Sequence, residues 1–87
     1  MKIKEGFVLR EVAGQAVVIA TGEASKTFHG MVKLNGTGAD IWRGIEEGLS
    51  EQEIADKLVA EYGVDRDRAA SDVAAFAGKM SEEGFLA

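Results

Sequence analysis

Residues 31–42 read MVKLNGTGADIW, and the hydrophobic period changes inside them. Met31, Val32, Lys33 and Leu34 have the character of a strand, whereas beyond Asn35 the apolar side chains Ile41, Trp42 and Ile45 recur at helical spacing. Glycines 36 and 38 between the two runs would let backbone amides approach a phosphate at a helix N-terminus. A phosphate loop needs a lysine and a serine or threonine after its last glycine, yet Gly38 is followed by Ala39-Asp40-Ile41, a carboxylate where the anion would sit. An Asn-Gly hairpin fails as well, because the residues that follow are helical rather than alternating. The stretch is therefore a joint between strand and helix. Asn35 or Thr37 caps the helix, Asp40 complements its dipole, and the helix stops near Gly48.

Upstream of this joint the period is two. Phe7 to Val12 and Ala16 to Ala20 read as strands, and Ala13-Gly14-Gln15 between them supplies a glycine for a three-residue hairpin loop. Residues 21–26 are small and polar, a turn-rich connection into a third strand over Phe28 to Leu34. Downstream, Ser50 and Glu53 form a capping box, Ile54, Ala55, Leu58, Val59 and Tyr62 an apolar stripe, and Gly63 a stop. A third helix begins at Asp65, whose carboxylate can cap the amides of 67 and 68, and ends at Gly84. Its stripe is Ala69, Val73, Phe76, Ala77 and Met80. The fold class is α+β: a three-stranded antiparallel sheet followed by three helices, winged helix-turn-helix-like in order. Trp42, Ile41, Ile45, Leu58, Phe76 and Met80 should form the core.

The chain has 87 residues, which sets one domain over 1–87 as the expectation. At 46% hydrophobic and 29% charged, without a membrane-length apolar run or a visible signal peptide, it reads as a cytoplasmic, globular protein. Zero cysteines remove disulfides, thiolate catalysis and cysteine-ligated metals together. His29 is the only histidine and has no second strong ligand at metal-binding spacing, so it reads as an ordinary strand or loop residue. The pairs Glu46-Glu47 and Glu82-Glu83 read as solvated helix ends. No nucleophile with a base, metal cage or cofactor loop is present, so we expect neither an enzyme nor a cofactor.

Helix-turn-helix order raises DNA binding. The net charge of −5 is the wrong sign for it, and residues 65–83 carry three basic side chains against five acidic ones, so that helix would be repelled by phosphate. Peptide or protein binding remains. The third strand has a sequence neighbour on one side only, and its free edge can accept an incoming strand. The third helix carries Ala70, Ala74, Ala75 and Gly78 outside its core stripe, small residues that allow close approach of another chain, although alanine is also simply a good helix former. An unprotected edge serves self-association as readily, giving a homodimer through paired edges, and a structural adaptor or dimerisation module is the remaining class beside a winged-helix regulator.

Several segments in register resemble the PqqD-like domains, the recognition elements for precursors of ribosomally made, modified peptides. They are FVLREVAGQAVVIATGEA at 7–24, MVKLNGTGADIW at 31–42, GLSEQEI at 48–54, EYGVD at 61–65, DVAAF at 72–76 and EEGFL at 82–86. The resemblance implies a peptide chaperone in a winged-helix arrangement that binds the leader of a precursor peptide and presents its core to a modifying enzyme, often a radical SAM enzyme. The product would be pyrroloquinoline quinone, a lasso peptide or another peptide product. In such domains the leader adds to the third strand and lies against the third helix. Carried onto this chain, the contacts come from Met31, Val32, Lys33 and Leu34 and from one flank of the helix at 66–79, with Arg68, Ala70, Ala74, Ala75, Gly78 and Lys79 as the candidates.

Overall fold

The computed structural model describes residues 1–27 and 30–87. Strands β1 (Phe7–Val12), β2 (Gln15–Ala20) and β3 (Met31–Leu34) are followed by helices α1 (Gly36–Glu46), α2 (Glu51–Tyr62) and α3 (Arg66–Glu82). The strands form one antiparallel sheet in the order β1-β2-β3. The α+β arrangement expected from the change of period is thus the observed one. No helix among the described residues is long and apolar enough to cross a membrane.

Several boundaries differ for physical reasons. Val12 pairs with Gln15, so the hairpin loop has two residues rather than three. Ala13 and Gly14 both take positive φ, 52° and 79°, the backbone of a tight primed turn whose twist matches the strands. The connection after β2 is not irregular: Gly22–Lys26 winds into a 3₁₀ helix. β3 begins at Met31, and the expected strand residues Phe28 and His29 lie outside the described residues. Asn35, not Thr37, caps α1, its Oδ1 accepting from the Gly38 N–H at 2.7 Å. Ser50 and Glu53 close the capping box of α2, and Asp65 caps α3 through the Arg68 amide alone.

Alternation assigns the two sheet faces. Phe7, Leu9, Val18, Val32 and Leu34 face the helices and pack around Trp42, Met80 and Phe85. A second cluster joins the helices: Ile41, Ile45, Ile54, Ala55, Leu58, Ala69 and Val73. Trp42 and Ile41, adjacent in α1, therefore belong one to each cluster, and α1 is the element that ties sheet to helices. A Cβ at Gly44 would lie 2.7 Å from Ile54 Cγ1, so the glycine sets how closely α1 and α2 approach.

Of the expected core, Trp42, Ile41, Ile45, Leu58 and Met80 are buried, but Phe76 is only partly so. Tyr62 departs further. It stands 50% exposed, because α2 outruns the core in its last turn. The largest omission is Phe85, fully buried and edge-on to both Phe7 and Trp42 at centroid distances of 4.8 and 6.0 Å. The residues around it are held by pairing of the two ends of the chain: Ile3 bridges Leu86, and the Lys4 N–H donates to the Phe85 carbonyl at 2.7 Å.

Candidate functional site

Among the described residues β3 pairs with β2 alone, through Leu34 with Ala16, Lys33 with Val17, Val32 with Val18 and Met31 with Ile19. Its other side is a free edge of four residues. Val32 and Leu34 are half-buried toward the helices, whereas Met31 and Lys33 are exposed on the outer face. A strand added here would meet apolar side chains on one of its faces and Met31 and Lys33 on the other.

Just past the end of β3, from Asn35 on, lies a groove of about 370 Å³ between the start of α1 and α3. Asn35, Thr37, Gly38 and Ile41 form one wall, and Arg68, Asp72, Ala75 and Phe76 the other. Gly38 makes the groove this narrow at its base: a Cβ there would lie 3.1 Å from the Phe76 ring and 3.6 Å from Leu34 Cβ. The partial exposure of Phe76 follows, since its ring is floor to the groove rather than interior to the core. The glycine that resembled part of a phosphate loop serves as contact surface for an aromatic ring.

The residues expected on α3 divide between its two flanks. Arg68 and Ala75 line the groove, joined by Asp72 and Phe76. Lys79 falls on the same helical row farther along, exposed and outside the lining. Ala70, Ala74 and Gly78 are exposed on the far side of the buried row of Ala69, Val73, Ala77 and Met80, about a third of a turn from it. The small-residue row and the groove therefore lie on opposite sides of the core stripe. Asp72 and Phe76 could have been found from the sequence, as neighbours of Arg68 and Ala75 at helical steps.

A larger, more polar cleft of about 540 Å³ lies between the tip of the β1–β2 hairpin and α1, with Glu11, Lys33, Asp40, Arg43 and Tyr62 around it. Tyr62 donates its hydroxyl to Asp40, which also faces Arg43 at 3.8 Å. The hydrogen bond to Asp40 raises the Tyr62 pKa above its ordinary value of 10.0, and the negative charges of Asp40 and Glu61 act in the same direction. A raised folded-state pKa means that this contribution to stability is present below about pH 10 and is lost as pH rises through the folded value. Tyr62 is the only tyrosine, so phenolate absorbance reads it directly. Its titration should fall above that of free tyrosine and move back toward it in Asp40→Asn; coincident wild-type and variant curves would contradict the pairing.

Among the described residues no group of three or more His, Cys, Asp or Glu side chains could hold a metal ion. The arginines of α3 are already partnered, Arg66 with Asp56 and Arg68 with Asp72, which leaves that helix still less suited to phosphate.

Residues 7–86 match the family described as Coenzyme PQQ synthesis protein D (PqqD). No curated protein gives a significant sequence match. Two solved structures share the fold. One, TbiB1 in complex with the TbiA(beta) leader peptide, is 28% identical, with a TM-score of 0.81 over 99% of this chain and 94% of that one. The other, a lasso peptide synthetase B1 complexed with the leader peptide, is 23% identical, with a TM-score of 0.81 over 99% of this chain and 95% of that one.

Proposed function

The chain belongs to the PqqD family, and we propose that it is a non-catalytic peptide-recognition domain for the leader of a ribosomally made precursor. The leader adds as a strand to the free edge of β3, and the attached core peptide is offered to a modifying enzyme in the cytoplasm. The observation that carries this reading is the unpaired edge at Met31–Leu34, followed at once by Asn35 in the wall of the Gly38–Phe76 groove. It is supported by the structure 28% identical to this chain, which is a complex with a leader peptide.

Main-chain hydrogen bonds from β3 give the peptide its register, and alternate side chains read the groove and the outer face. Met31, Val32, Lys33 and Leu34 supply the edge; Arg68, Asp72, Ala75 and Phe76 supply the helical wall. Ala70, Ala74 and Gly78, on the other flank, are free for the modifying enzyme. That enzyme, of radical SAM or another type, gains from the raised local concentration of its substrate rather than from chemistry on this chain. The same edge can also pair with a second copy, so dimer and peptide complex would compete for it.

Amide hydrogen exchange tests the reading with synthetic leader peptides of candidate precursors. Added peptide is expected to slow exchange within residues 31–34 and to leave α2 unchanged. Binding that protects the α3 alanine row instead, or a low-salt gel shift with duplex DNA and no peptide binding, would overturn it.

A further inference from the structure

Arg10, Val17 and Lys33 stand side by side across the sheet, one from each strand. By alternation all three lie on the face opposite Leu9, Val18 and Val32, which pack on the core; Arg10 and Lys33 are exposed there, and Val17 between them is buried. Lys26, Arg43, Lys57, Arg66 and Arg68 each have a carboxylate partner, but among the described residues neither Arg10 nor Lys33 forms an ion pair. Lys33 also borders the cleft that holds Glu11 and Asp40, and it pairs with neither. The row thus runs cation, valine, cation and ends at the free edge. The next place in it belongs to the strand that would add to β3.

We infer that this edge selects an extended peptide bearing an aspartate or glutamate opposite Lys33, between two apolar residues. The inference rests on strand addition at β3 and deepens it by naming the peptide chemistry. Directly opposed residues on paired strands have Cβ atoms roughly 5 Å apart, close enough for a carboxylate to meet the Lys33 ammonium and for a second cation there to be repelled. Arg10 sits three strand spacings from that place, about 14 Å, beyond the screening length of about 8 Å in physiological salt, so Lys33 sets the preference. The residues on either side of the acid point to the other face, where they meet the half-buried Val32 and Leu34 and must be apolar to match them. Two residues from the acid, back on the outer face, the peptide meets Met31, 56% exposed and apolar. The chain as a whole carries a net charge of −5 and repels acidic peptides in general. The acid is therefore favoured at one register position, and a uniformly acidic peptide is not.

Selection from a displayed library of random linear peptides tests this, with wild type and Lys33→Glu as baits. Lys33 is exposed, so the substitution should leave the melting temperature unchanged; Lys33→Met is a second variant, in which charge selection at that position should vanish. The wild type is expected to enrich an apolar-acid-apolar pattern, and Lys33→Glu to replace the acid with lysine or arginine. For an enriched peptide, changing the acid to alanine should weaken binding to wild type by about two- to five-fold, with less effect at high salt. The same residue at that position from wild type and Lys33→Glu would overturn the inference while leaving peptide capture standing. No enrichment by the wild type would overturn both.

Discussion

Trp42→Ala should lose about 3–5 kcal/mol of folding stability, the usual cost of truncating a buried tryptophan. Trp42 is fully buried between Val18 of the sheet and Met80 and Phe85 of the C-terminal region. Its removal empties the junction at which α1 ties the sheet to the helices. An ordinary domain has about 5–15 kcal/mol in total, and one this small lies toward the lower end, so the variant should be largely unfolded under mild denaturant. The indole also has a weakness. Its Nε1–H is buried and has no hydrogen-bond partner among the described residues, an arrangement that costs about 1–3 kcal/mol where it occurs. Trp42→Phe removes that donor while retaining a ring against Phe85, and it should therefore lose much less than Trp42→Ala. Chemical denaturation followed by circular dichroism separates the two, since the only tryptophan is absent from both variants and cannot report fluorescence. Peptide binding by Trp42→Ala should fall with its folded fraction. A cooperative transition close to that of the wild type would contradict the role of Trp42 as the junction.

How far the sequence alone reaches is visible in Trp42 and Phe85, which touch each other. Trp42 is legible because it follows a capped helix start and shares a stripe with Ile45, so local period and local chemistry agree. Phe85 follows Gly84 after the last helix has ended, where no period applies. Its burial depends on the pairing of Ile3 with Leu86, a contact between residues at opposite ends of the chain. Tyr62 shows the reverse error. It satisfies the apolar period of α2, but period says which side of a helix is apolar and not how far along it the core extends; the last turn projects past the core and the hydroxyl finds Asp40.

The site divides along the same line. The free edge could be read from strand order alone, because β3 follows β2 and nothing later in the chain reads as a strand. The flank of α3 could not. Arg68, Asp72 and Ala75 lie to one side of the buried stripe and Ala70, Ala74 and Gly78 to the other, both at helical steps, so periodicity gives no preference between them. What distinguishes them is the close approach of Phe76 to Gly38, a tertiary contact that sets Arg68, Asp72 and Ala75, and not the alanine row, beside a groove.

Proline substitution at Val32 and at Lys33 should produce two different losses from adjacent residues. In an antiparallel ladder, residues whose N–H and C=O both point to the partner strand alternate with residues whose groups both point away. Val32 and Lys33 are neighbours in β3, so one of them bonds β2 and the other presents its amide to the free edge. Proline removes that amide and favours extended geometry in the residue before it, which a strand already has. At the inward position a ladder bond to β2 is lost, and the melting temperature should drop. At the outward position the domain has no internal bond to lose, so the melt should stay close to wild type while the donor awaiting the peptide is gone. A missing hydrogen bond together with the ring in the path of the incoming strand should weaken leader binding by about tenfold or more. Calorimetric titration and thermal melts of both variants give the contrast: one stable variant that binds poorly, and one destabilised variant whose binding falls only with its folded fraction. Unchanged affinity in both variants would exclude strand addition at β3, whatever the groove beside it holds.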